Sequence, residues 1–137
     1  MNYSDKERKV HLRQNLQRAK QRKSKKGPCW KMNGYRDKRM FNYLLSVAME
    51  IGAKQKWKCA ISGDPLSFSR GGKLKGANPK SCVIDRIDSN IGYTESNIQL
   101  LTHEVNITKG ELSMSRYVEL VTQISDRFKK TMLENGL

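Results

Sequence analysis

The chain has 137 residues, the size of one ordinary domain, with 36% hydrophobic residues and a formal net charge of +14. It has no apolar run near the ~18 residues of a membrane span, no signal-peptide core in its charged start MNYSDKERKV, and three cysteines with no CxxC pair. These features argue against a membrane protein and a disulfide-stapled secreted domain, and they set a cytoplasmic location as the expectation.

The charge is lopsided. Residues 1–26 hold ten Lys/Arg and two acids, net +8; residues 27–80 hold eleven and three, again +8; residues 81–137 hold six and eight, net −2. So many like charges in 80 residues repel one another unless a polyanion offsets them. Nucleic acid is the expected partner, with a solvated basic face as the plain alternative. An anionic membrane matches less well, because residues 1–26 offer only Tyr3 as an aromatic to face lipid.

Ser4 and Glu7 have the spacing of a capping box, and the stretch to about Lys23 reads as a helix rich in Lys, Arg and Gln. Its apolar positions are few: Val10, Leu12, Leu16 and Ala19. The expectation is a basic arm over residues 1–26 that orders fully on a partner. Its candidate nucleic-acid contacts are Arg8, Lys9, Arg13, Arg18, Lys20, Arg22, Lys23, Lys25 and Lys26. Gly27-Pro28 marks a boundary to one domain over 27–137.

Asp37 can cap a second helix running to roughly Lys54, with Phe41, Leu44, Leu45, Ala48 and Ile51 in one apolar stripe. WKCAI reads as a short strand, SGDP as a turn, LSF as another short strand and SRGGKLKGANPK as a loop. SCVIDR returns as a strand, followed by the turn-rich IDSNIGYTES. NIQLLTHEVNITKG reads as a turn that becomes helical and ends near Gly110. Ser113 or Ser115 opens the last helix, where Tyr117, Leu120, Val121, Ile124, Phe128 and Met132 line one face. That face predicts a packing helix over 113–135, a lid on the core, with a dimer face as the alternative. The fold class is α+β.

On the helix before Gly110, His103 and Asn106 are i and i+3, as are Asn106 and Lys109, so neighbours share a face. A strand-end carboxylate at Asp85 and a helical carboxamide at Asn106 make a workable oxygen pair for Mg²⁺, which keeps several waters for phosphate oxygens. The plain alternative is a turn aspartate and a surface asparagine.

Cys59 with Pro65-Leu66, then CVIDRID, GYTESNIQLL and HEVNITKG, together resemble the HNH (His-Me finger, ββα-metal) endonucleases, in particular a phage-type branch carrying Asp-Arg-Ile-Asp at the hairpin end. The resemblance covers about residues 57–112. It implies a small ββα-metal core flanked by helices, and a divalent-metal-dependent DNA endonuclease, nicking or homing-like, acting in a bacterial host cytoplasm. Asp85 and Asn106 would bind Mg²⁺ or Mn²⁺, and Asn97 would hold the loop. Arg86 stands where relatives carry the histidine general base. A guanidinium cannot take a proton from water but can clamp phosphate. His103, or else Asp88, would then serve as base, and Lys109 would contact phosphate. Ser62, Thr102 and Val105 replace the cysteines of a zinc ribbon, so structural zinc is not expected; a site from Cys29, Cys59, Cys82 and His103 is the residual alternative. The alternative function is a non-catalytic module on the same fold that binds DNA or RNA.

Overall fold

The computed structural model describes residues 2–21, 38–72 and 76–136. In chain order the elements are α1 (Asp5–Gln21), α2 (Lys38–Lys54), β1 (Gly71–Gly72), β2 (Gly76–Ala77), β3 (Cys82–Arg86), β4 (Ile98–Thr102), α3 (His103–Lys109) and α4 (Met114–Glu134). The architecture is mixed α+β.

The capping box forms: Ser4 N–H donates to Glu7 Oε2 at 2.7 Å, and Glu7 N–H to Ser4 Oγ at 3.2 Å. Beyond that turn, α1 departs from the expected arm. Leu12 and Leu16 are fully buried and Ala19 nearly so, against the α2 stripe of Phe41, Leu44, Leu45 and Ala48. Burying each leucine contributes about 1.5–3 kcal/mol. His11 and Asn15 extend the contact to β3: His11 Nε2–H donates to the Cys82 carbonyl at 2.8 Å, and Asn15 Nδ2–H to the same oxygen at 3.1 Å. The basic helix is therefore part of the core. A narrow apolar stripe suffices because its polar neighbours satisfy a strand edge. Arg22, Lys23, Lys25, Lys26, the Gly27-Pro28 boundary and the Asp37 cap lie outside the described residues.

The end of α2 is set by a close approach. The Trp57 ring folds back onto Gly52, where an added Cβ would lie 2.1 Å from Trp57 Cζ3. Lys56 and Trp57 make the reversal with positive φ of 55° and 56°.

The hairpin differs from the expected one. WKCAI and LSF supply only isolated bridges, Lys58 with Pro65 and Ser67 with Ser81. The partner of β3 is β4, antiparallel, with Cys82 opposite Thr102 and Arg86 opposite Ile98. The QLLT run is thus strand rather than turn and helix. All five β4 residues are buried, so they show no alternation to separate strand from helix. Its outer edge is closed by the Gln55 side chain, which accepts the Leu100 N–H at 3.1 Å and donates to the Leu100 carbonyl at 3.0 Å. Directly opposed residues share a sheet face. Asp85 and Gln99 form such a pair on the α3 side, while Ile84 and Leu100 sit in the core with α1 and α2. The loop expected at 69–80 contains the short β1–β2 pair.

The predicted packing of α4 is not found. The helix is capped by Ser113 Oγ, which accepts the Arg116 N–H at 3.2 Å. Tyr117 is its one buried residue, while Ile124 and Phe128 are 59% and 63% exposed. Both faces of the β3–β4 hairpin are already covered, one by α1 and α2 and the other by α3, which leaves no core surface for it. Among the described residues no helix is long and apolar enough to cross a membrane.

Candidate functional site

The chemistry-bearing residues gather where α3 lies along β3, and the two ends of that contact differ. At the Asp85 end everything is closed. Asp85 Oδ2 lies 3.1 Å from Lys109 Nζ and accepts a hydrogen bond from Gln99 Nε2 at 3.0 Å. Asp85 is 8% exposed and Lys109 0%. The ammonium also donates to the Arg86 carbonyl at 3.3 Å. Lys109, expected to contact phosphate, is an internal cation that no polymer can reach. The helical spacing that placed it one turn past Asn106 was right, but that turn faces the hairpin.

Arg86 is enclosed in the same way, contrary to the expected phosphate contact. It is 7% exposed. Its Nη1 donates to the carbonyls of Ser89 and Ile91, and its guanidinium carbon lies 5.6 Å from the centre of the Tyr93 ring. The expected phosphate clamp grips its own loop. Asn97 completes that loop. Its Oδ1 accepts the Asp88 N–H at 2.9 Å, and its Nδ2 donates to Asp88 and Gly92 carbonyls at 3.0 Å and to Ile91 at 3.3 Å. The loop-tying geometry expected of Asn97 is present. Asp88 is a turn residue: its Oδ1 accepts the Asn90 N–H at 2.9 Å.

This donor set does not fit a hard divalent ion. The carboxylate of Asp85 is already neutralised by a buried ammonium 3.1 Å away, and a second cation there would be repelled. Asn106 lines a separate cleft with Ser81 and Val83, which Asp85 does not line. Among the described residues no group of three or more His, Cys, Asp or Glu could hold a metal. Cys59 and Cys82 are buried free thiols, and burial pushes the Cys82 thiol well up. Cys29 lies outside the described residues.

The other end is open. Beside the start of β3 lies a cleft of about 270 Å³ whose polar lining includes Asn15 and Arg18 from α1, Arg70 and Asn78 from the β1–β2 segment, and His103 and Asn106 from α3. His103 opens α3, and its N–H donates to the Ser81 carbonyl at 2.8 Å. The predicted shared face of His103 and Asn106 is real and looks into this cleft. Arg18 does too. Asn15, Arg70 and Asn78 join the lining with no mark in the sequence to announce it. Arg70 stands in a basic, glycine-rich stretch with no local mark of a site, and only the tertiary fold carries it to α3.

The remaining α1 cations divide. Arg8 is spent on packing: its guanidinium carbon lies 4.4 Å from the Trp57 ring centre, and Nη1 3.0 Å from Asp5 Oδ1. Lys20 Nζ lies 5.6 Å from the Phe41 ring centre. Lys9 and Arg13, at i and i+4, are exposed. His11, beneath the cleft, has its pKa lowered, chiefly by burial and further by the charges of Arg18 and Arg70. No family model, curated protein or solved structure matches the chain.

Proposed function

We propose that this protein binds nucleic acid, DNA or RNA, through the exposed cations of α1 and the cationic cleft, and that the β3–β4–α3 unit is an HNH-like scaffold. The observation that carries this reading is the contrast in where cations go. Lys109 and Arg86 are consumed inside the hairpin, whereas Lys9, Arg13 and Arg70 are exposed, Arg70 at the rim of an open cleft. Support for the HNH-like scaffold comes from the element order and from the loop held by Asn97.

The test is binding to duplex and single-stranded oligonucleotides across a salt series. Lys9→Gln/Arg13→Gln lowers affinity uniformly across sequences, and each lost phosphate contact flattens the log–log salt slope by ~0.9 on duplex. Deleting the whole N-terminal segment is not a usable test, because it removes Leu12 and Leu16 from the core. Wild-type protein that binds no oligonucleotide at low salt sinks the reading.

A second reading, a DNA endonuclease whose divalent ion would arrive with the substrate phosphate and not be held by the Asp85–Lys109 pair, is favoured by one observation: His103 and Asn106 stand in an open cleft beside two arginines. An imidazole there could take a proton from water near a bound phosphate. Supercoiled plasmid separates the readings. Nicked product formed in Mg²⁺ or Mn²⁺, absent with EDTA and lost in His103→Ala, selects the enzyme; intact plasmid with retained binding selects the scaffold.

A further inference from the structure

We propose that the cleft between α1, the β1–β2 segment and α3 is a seat for a single phosphate group, free or carried in a sugar–phosphate backbone. The backbone source rests on the nucleic-acid reading above; the seat itself rests on geometry.

The lining is one-sided in charge. Arg18 and Arg70 enter from separate stretches, and among the described residues no carboxylate lines the cleft. Guanidiniums reaching in from separate stretches suit an anion that offers oxygens in several directions, as tetrahedral phosphate does and a planar carboxylate does not. The field of the pair reaches His11 below: burial lowers its pKa most, and Arg18 and Arg70 lower it further.

The polar frame is set in advance. Asn15 Nδ2 is fixed on the His11 and Cys82 carbonyls at 3.2 and 3.1 Å. Asn78 Nδ2 donates to Ser67 Oγ and the Ser69 carbonyl, both at 2.9 Å, while its Oδ1 accepts the Lys80 N–H at 3.0 Å. Both N–H groups of each carboxamide are thus already spent on the protein, so Asn15 and Asn78 shape the cleft and leave direct contact with an anion to the arginines, His103 and Asn106. Size narrows the ligand further. At about 270 Å³ the cleft falls below the ~300–1,000 Å³ of pockets that enclose a drug-sized molecule. It suits a phosphate with part of its sugar, not a stacked base. The seat lies at the Ser81–Val83 end of β3, and α1 and the β1–β2 segment build two of its walls.

The probe is inorganic phosphate, titrated into the full-length protein against chloride at matched ionic strength. The readout is the NMR signals of the His103 ring and the Asn15, Asn78 and Asn106 side-chain amides. Saturable shifts confined to these groups are expected. Arg70→Gln, which alters an exposed side chain and should melt like the wild type, weakens the fitted affinity roughly tenfold or more, and Arg70→Lys keeps part of it. Shifts that are absent, scattered over the surface, or untouched by Arg70→Gln overturn the seat. The same variant is then scored on duplex oligonucleotide, where the salt slope falls by ~0.9. Phosphate bound without oligonucleotide leaves the seat standing and removes the nucleic-acid reading. Oligonucleotide bound with an unchanged slope and no phosphate shifts overturns the seat and leaves that reading standing. Shifts produced equally by an acidic peptide overturn the phosphate assignment.

Discussion

One strand and one helix, β3 and α3, meet in two opposite ways. At Asp85 and Arg86 every charge has a partner inside the protein: Lys109 and Gln99 for the carboxylate, loop carbonyls and Tyr93 for the guanidinium. At Ser81 to Val83 the same helix presents His103 and Asn106 to a cleft shared with Arg18 and Arg70. The two ends carry similar residue types. What separates them is burial, which turns Lys109 and Arg86 into structural parts and leaves Arg70 exposed. A polar residue at a suggestive spacing is thus not a functional residue until its solvent exposure is known.

The sharpest way to break the contrast is to remove the closed end's cation. Lys109→Met leaves Asp85 buried without a counter-charge and costs about 3–5 kcal/mol in urea unfolding. Adding Asp85→Asn removes the orphaned charge and recovers much of that loss. Equal stability of the single variant and wild type would mean the pair is solvated, and the contrast between the ends would fail.

Next in size is the loop. Asn97→Ala deletes four hydrogen bonds and costs about 2–3 kcal/mol, part of it returned by water at the loop surface. Its measurable companion is faster exchange of the Asp88 amide.

The third prediction probes the floor of the open end. His11 has its pKa lowered from 6.5, chiefly by burial. Protonation therefore favours the unfolded chain, which binds the proton at higher pH than the folded one. The stability tied to neutral His11 is complete above about pH 6.5 and is lost as pH falls from there through the lower folded value, at no more than ~1.4 kcal/mol per pH unit. His11→Gln flattens that part of the melting-temperature profile; a profile identical to the wild type would remove His11 as its source.

The smallest effect is the counterpart of the first. Arg70→Gln changes stability by less than about 0.5 kcal/mol, as exposed substitutions do. A cation at the open end should matter to ligands and not to folding. A large loss of stability here would put Arg70 with Lys109.

Several features were legible in the sequence because their signals are local. The Ser4–Glu7 box set the start of α1, the Phe41 to Ala48 stripe gave α2, and SCVIDR gave β3. The loop-holding role of Asn97 was not a local signal; it was implied by the resemblance carried by GYTESNIQLL. Three features were hidden. β4 is buried on both faces, so its residues lack the alternation that marks a strand. Lys109 is enclosed by the approach of α3 to the hairpin, and no property of a lysine in a sequence announces that. Arg70 reaches its neighbours only through the tertiary fold. The periodicity of α4 was read correctly, but a stripe records that a helix has an apolar face, not that anything covers it.

That bare helix divides the molecule dynamically. Tyr117 is buried and its hydroxyl hydrogen-bonds with Thr108 Oγ1 at 2.6 Å, so the first turn of α4 shares the cooperativity of the body. Beyond it the helix runs on for most of its 21 residues, about 30 Å in all at 1.5 Å per residue, with no buried side chain past Tyr117 and no packing partner among the described residues. A lone helix of that length is marginal in water. Its amides therefore open on the fast timescale of helix–coil fraying, while those of β4 wait for the whole body to unfold.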